Sequence, residues 1–173
     1  MHVGTLAGLP PALKLMGIAA GTPIGNYTDS RYGGLARAFV DPVSLTAFNT
    51  ADCSLSTPAG QGLLGLLLPA PKSIRGYKAW SSGYGWDGAS QGATITQELQ
   101  ASNDTTTGLD GTWATLHSAS FADVWGVQDI RDVLLDEATP PYRAYRLRTT
   151  GTFHSGGQYY YCNGLRFYMY SYF

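Results

Sequence analysis

The chain has 173 residues, enough for one domain with an ordinary core plus an extra segment. Only 13% of the residues are charged, while 22 are glycine and 12 are tyrosine, a balance that favours short strands joined by many turns and makes all-β the first expectation. A formal net charge of −1, with no cluster of Lys or Arg to track phosphates, argues against nucleic acid as a partner.

Residues 1–35 carry no clean period. Gly4, Gly8, Gly17, Gly21, Gly25, Gly33 and Gly34, with Pro10, Pro11 and Pro23, break every candidate helix. Leu6, Leu9, Leu13, Leu15, Met16 and Ile18 make the stretch more apolar than a solvated tail. The expectation is an extended attachment arm over residues 1–35 that orders against a partner, followed by a β-sandwich over 36–173. Pro10-Pro11 and Lys14 interrupt the apolar start, no basic run precedes it, and no apolar run reaches spanning length. Neither a signal peptide nor membrane insertion is expected.

Strand signals follow in order. Gly62 to Leu68, rich in leucine and bounded by Pro69 and Pro71, suits a strand buried on both faces. Ala93 to Ala101 alternates, with Ile95, Leu99 and Ala101 on one face and Thr94, Thr96, Glu98 and Gln100 on the other. Val124 to Asp136 reads as helix or strand, and the pattern does not choose. Tyr142 to Thr150 places Tyr145, Leu147 and Thr149 opposite Ala144, Arg146 and Arg148, and Leu165, Phe167 and Met169 continue the alternation. Cys53 and Cys162 can form one bridge or remain two buried thiols, and sequence spacing leaves both open.

The order of these motifs resembles the discoidin family, the coagulation factor 5/8 type C-like, galactose-binding-like domains. Ala38-Phe39-Val40-Asp41 with Thr46-Ala47-Phe48 is similar to the family's opening turn, and Lys72 to Tyr77 to a following strand. Ser102-Asn103-Asp104 with Gly111, Trp113 and Leu116 resembles its most diagnostic segment; Tyr142 to Leu147 and Gly164 to Phe167 resemble its last two strands. The resemblance covers roughly residues 36–170 and implies a jelly-roll β-sandwich. Asn103 and Asp104 suit a hairpin turn, and Trp113 is expected in the sandwich interior. The family's calcium site would use Asp41, but its closing acidic position falls near Gly164, which has no side chain. No cofactor is therefore expected.

Gly88-Ala89-Ser90-Gln91-Gly92 matches the G-x-S-x-G pattern, and a later Asp with His154 gives the chain order of a serine hydrolase. A nucleophile elbow needs a helix after the Ser, however, and the strand-like Ala93 to Ala101 follows it. His2, His117 and His154 are too scattered for zinc-ligand spacing. The feature that points to function is aromatic: Tyr84 and Trp86, with Asp87 and Gln91, lie between two strands; Trp125 lies beside Asp123; Tyr159 follows Gly156-Gly157. Aromatic faces stack on sugar rings while Asp, Gln or His bond hydroxyls, and the resemblance implies glycan, lipid or protein binding through such loops. The expected role is a non-catalytic virion attachment protein, homo-oligomeric, docked to other virion proteins by its arm and presenting a host-glycan-binding domain. The alternative is an extracellular carbohydrate-binding module or adhesin of a cellular protein.

Overall fold

The structure, a computed structural model, describes residues 12–27, 34–39, 53–56, 61–81, 85–86, 94–123, 129–151 and 159–171. The strands are β1 (Ala12–Met16), β2 (Thr22–Gly25), β3 (Cys53–Ser56), β4 (Gln61–Lys72), β5 (Ile74–Trp80), β6 (Thr94–Ser102), β7 (Ala114–Ala122), β8 (Ile130–Leu134), β9 (Tyr142–Gly151), β10 (Tyr159–Cys162) and β11 (Gly164–Ser171). Gly34–Arg37 forms one short helix, α1. Their order is β1-β11-β5-β8 in a four-stranded sheet, β2-β4-β9-β6-β7 in a five-stranded sheet and β10-β3 in a two-stranded one. All pairings are antiparallel.

One core lies between the two large sheets. Ile74, Tyr77 and Ala79 of β5 and Leu165, Phe167 and Met169 of β11 meet Leu64, Leu66 and Leu68 of β4, Ile95 and Leu99 of β6, and Tyr145 and Leu147 of β9. This is the expected alternation made three-dimensional: β9 and β11 turn every second residue inward, and a bulge in the β5–β11 pairing shifts Ile74 out of that count. Across the gap the Tyr145 and Phe167 rings stand 5.9 Å apart. The Tyr145 hydroxyl donates to the Lys72 and Pro140 carbonyls, and burial pushes its pKa up to about 12. β4 is buried on both faces as the leucine run predicts, because Leu63 and Gly65 on its outer side lie beneath other groups. The segment with no settled period resolves as strand at Ile130–Leu134.

The arm expectation needs correction over residues 12–27. β1 pairs with β11 from Ala12↔Ser171 to Met16↔Phe167, and β2 pairs with β4 from Thr22↔Leu67 to Gly25↔Leu64, so this segment is an edge strand of each large sheet. Ala20, Ile24 and Tyr27 are buried. Sequence reasoning took its glycines and prolines as breaks, whereas each serves an edge or a close approach. Pro23 sits on an edge strand, where a missing N–H costs least. A Cβ on Gly21 would lie 2.4 Å from the Leu67 carbonyl oxygen, so only glycine passes there. Residues 1–11 lie outside the described set.

Candidate ligand-binding end of the sandwich

The two large sheets finish at the same end. Trp80, Ile130 and Gly164 are cross-strand neighbours in one sheet; Thr94 with Ala122, Ile95 with Gly151, and Gln61 with Thr150 close the other. The described residues that flank Tyr84, Trp125 and His154 are therefore gathered at one end.

A pair of carboxylates builds the framework there. Asp123, just past β7, accepts the Trp86 backbone N–H on both oxygens, at 3.0 and 3.2 Å. Gly85 stands at φ +88, and a Cβ on it would come within 2.8 Å of the Asp123 carboxylate, so glycine is required for both conformation and space. Asp129, just before β8, accepts the Trp86 indole N–H at 2.9 Å and the Arg131 Nε–H at 2.6 Å. Its own backbone N–H donates to Ser81 Oγ at 2.7 Å. The Arg131 guanidinium lies 3.4 Å from the centre of the Phe121 ring, and Phe121 meets Trp86 edge-on at 6.3 Å. Residues from two connections, β5 to β6 and β7 to β8, brought together by the fold, thus fix one short segment.

Trp86 is consequently 1% exposed. The expectation that it offers a face to a sugar is corrected: both its polar hydrogens are committed to carboxylates and its ring is enclosed. It is part of the support. Tyr159 lies in β10 opposite Ser56, with only its backbone described. Tyr84, Asp87, Gln91, Trp125, His154, Asp41 and Ser90 lie outside the described residues.

Trp113 is corrected in the opposite direction. It is not interior but half-buried on the outer side of the five-stranded sheet, its indole N–H donating to the Asp110 carbonyl at 2.8 Å. The Arg146 guanidinium packs 3.8 Å from its ring centre. Arg146 is itself buried, donating to Gln100 Oε1 and to the Gly108 carbonyl, and burial followed by repulsion from Arg148 lowers its pKa to about 10. Next to it Arg148 bonds Gln61 and Glu98, and Gln100 bonds Glu98 and Thr115. This polar ladder crosses β4, β9, β6 and β7. The sequence carried a signal for it, the outward Arg146, Arg148, Glu98 and Gln100, but not that it would be partly buried.

Asp41, the expected calcium ligand, lies outside the described residues. Gly164 supplies no side-chain oxygen, and among the described residues no group of three or more His, Cys, Asp or Glu is placed to hold a metal. The stretch after Ser90 becomes strand β6 at Thr94, not the helix that a nucleophile elbow needs. Among the described residues no helix is long and apolar enough to cross a membrane.

No sequence-family model and no curated protein matches the chain. Solved structures do match its shape. A chitosan-binding module derived from a chitosanase/glucanase of Paenibacillus sp. IK-5 superposes with a TM-score of 0.59 at 16% identity, over 90% of this chain and 99% of that one. An F5/8 type C domain from Bacteroides fragilis gives 0.58 at 15% identity, over 92% and 98%. The fold is the discoidin-type jelly roll. A family 32 CBM from C. perfringens NanJ, solved with galactose, agrees at 0.59 and 12% identity over 91% and 99%.

Proposed function

We propose that the chain is a non-catalytic glycan-binding domain that recognises its sugar at the end held by Asp123 and Asp129. The observation that carries this is the conjunction of a discoidin-type sandwich with a rigid polar framework at the end where Tyr84, Trp125, His154 and Tyr159 enter the chain. This chain covers nearly the whole of each shape neighbour above, and two are described by what they hold, chitosan and galactose. Tyr84, Trp125 and Tyr159 supply stacking faces, and Asp87, Gln91 and His154 bond hydroxyls. Trp86 leaves that list and becomes their support.

The role we propose for the domain is attachment within a virion, as a homo-oligomeric tail, fibre or head component that displays the glycan site towards a host surface. An exposed row on the outer face of the four-stranded sheet, beside the Lys78–Asp132 ion pair, supports docking to other subunits. Leu15, Tyr168, Gly76 and Leu134 stand in one cross-strand row, with Leu134 58% and Leu15 40% exposed. A second reading, an extracellular module attached to a carbohydrate-active enzyme, is favoured by the Paenibacillus module's derivation from a chitosanase/glucanase and by an alginate lyase structure with its own CBM32, of which this chain spans 34%.

Titration calorimetry with galactose and chitosan oligosaccharides tests the binding reading. Shallow contacts give single-site dissociation constants on the order of 1 mM, raised to useful avidity only by several copies. Tyr84→Ala with Trp125→Ala is expected to weaken binding at least tenfold without moving the melting temperature. A wild-type protein that binds nothing across a broad glycan panel refutes the reading. Density-gradient banding of the protein with particles selects the virion role, and its presence only in soluble fractions selects the module.

A further inference from the structure

The chain's two cysteines are far apart in sequence, yet the fold pairs their backbones in register. β3 and β10 run antiparallel with Cys162 directly opposite Cys53, the last pair of a four-residue ladder. Directly opposed residues of an antiparallel pair hold their Cα atoms about 4.5 or 5.5 Å apart, according to whether the pair is non-hydrogen-bonded or hydrogen-bonded. A disulfide spans Cα separations of about 4.4–6.8 Å. Both arrangements fall inside that window. Cys162 is buried, with its sulfur donating to the Gly164 carbonyl at 3.3 Å.

Where the pair sits gives a reason for a cross-link. A two-stranded ladder of this length is marginal by itself. It belongs to neither large sheet, and β10, which begins at Tyr159, follows the stretch that holds His154. We infer that Cys53 and Cys162 form a cross-strand disulfide that staples β3 to β10. In the oxidation, one thiolate attacks a small-molecule or protein disulfide of the glutathione or isomerase class and releases one of its sulfurs as a thiol. The second cysteine thiolate then displaces the other sulfur. The two cysteines lose two protons and two electrons, and the donor disulfide leaves as two thiols. Because Cys162 is enclosed once the strands close, exchange takes place in the unfolded or locally opened chain. The bridge closes the loop from Cys53 to Cys162, about 110 residues, the regime in which loop-closure entropy gives a large stabilisation. It forms in an oxidising compartment or after release from the cell, and it stands whether or not the domain binds glycan.

The full chain, unfolded and refolded in a glutathione redox buffer, is alkylated with iodoacetamide under denaturing conditions and weighed intact. The expected result is no label without prior dithiothreitol, two labels after it, and a linked peptide joining the Cys53 and Cys162 segments in a non-reducing digest. Reduction is expected to lower the melting temperature on the order of 10 °C. Cys53→Ala is expected to melt at the reduced wild-type temperature with or without reductant. Should that variant fail to fold, Cys162→Ala serves the same comparison, and the alkylation result on wild type decides without either. Two alkylatable thiols after equilibration in the redox buffer overturn the inference, as does a wild-type melting temperature indifferent to reductant.

Discussion

Two tryptophans exchange the places that sequence patterning gives them, and the reason lies in their partners. Trp86 follows Gly85 in a stretch with every mark of a surface loop, yet Asp123 and Asp129, distant in sequence, accept both of its N–H groups and draw it inside. Trp113 precedes a strand and carries the resemblance's strongest motif, yet it closes over a buried arginine on the outer face. Side-chain identity and neighbours along the chain do not encode which distant groups arrive. Truncation separates the two. Trp86→Ala removes an enclosed ring and takes the indole donor from Asp129, while the backbone N–H that Asp123 accepts remains, so a loss of about 3–5 kcal/mol is expected in urea unfolding. Trp113→Ala gives up a half-buried ring and one cation–π contact, and its expected loss is about 1–2 kcal/mol. Equal losses at the two positions would contradict their placement.

At the scale of elements, strands β4, β6, β9 and β11 were legible because their alternation is clean and their inward residues are large and apolar. The turn between β6 and β7 was legible in part. Asn103 and Asp104 bend the chain as their types suggest, Asp104 accepting from Ser102 Oγ and the Thr112 backbone, and Asn103 accepting the Arg143 N–H. Asp110, unremarked in the sequence, organises the rest. It accepts the hydroxyls of Thr105, Thr106 and Thr107 and the backbone N–H groups of Thr106 and Thr107. Those donors hold its carboxyl far below the usual carboxylate range, led by the Thr106 hydroxyl. The folded pKa is depressed, so the charged form favours the folded state. That contribution is complete above the unfolded value of 3.8 and is lost as pH falls towards the folded value. Asp110→Ala is therefore expected to melt below wild type at pH 7, with the gap narrowing by pH 3. A gap constant across that range in calorimetric scans would mean that the carboxylate charge is not what orders the turn.

For the whole molecule, the stretch 12–27 was hardest to read because its two strands are edges. An edge strand pairs on one side only, needs no long alternating run, and tolerates Pro23 and the glycines that elsewhere mark loops. β1 and β2 nevertheless finish both sheets. Met16 and Leu35 pack on the core, and Ala20, Ile24 and Tyr27 are inside it. Two truncations follow from this. Removing residues 1–11 leaves every described pairing intact, and the product is expected to melt within a few degrees of the full chain. Removing residues 1–27 strips β1 from β11 and β2 from β4, exposing two hydrogen-bonding edges and an apolar interior. Burying a large apolar side chain is worth about 1.5–3 kcal/mol, and Ile24 and Tyr27 together with two lost strand pairings approach the stability of an ordinary domain. The longer truncation is therefore expected to be largely unfolded or aggregated by size-exclusion chromatography and circular dichroism. A soluble product with the melting temperature of the full chain would return residues 12–27 to the status of an appended arm and remove β1 and β2 from the sandwich.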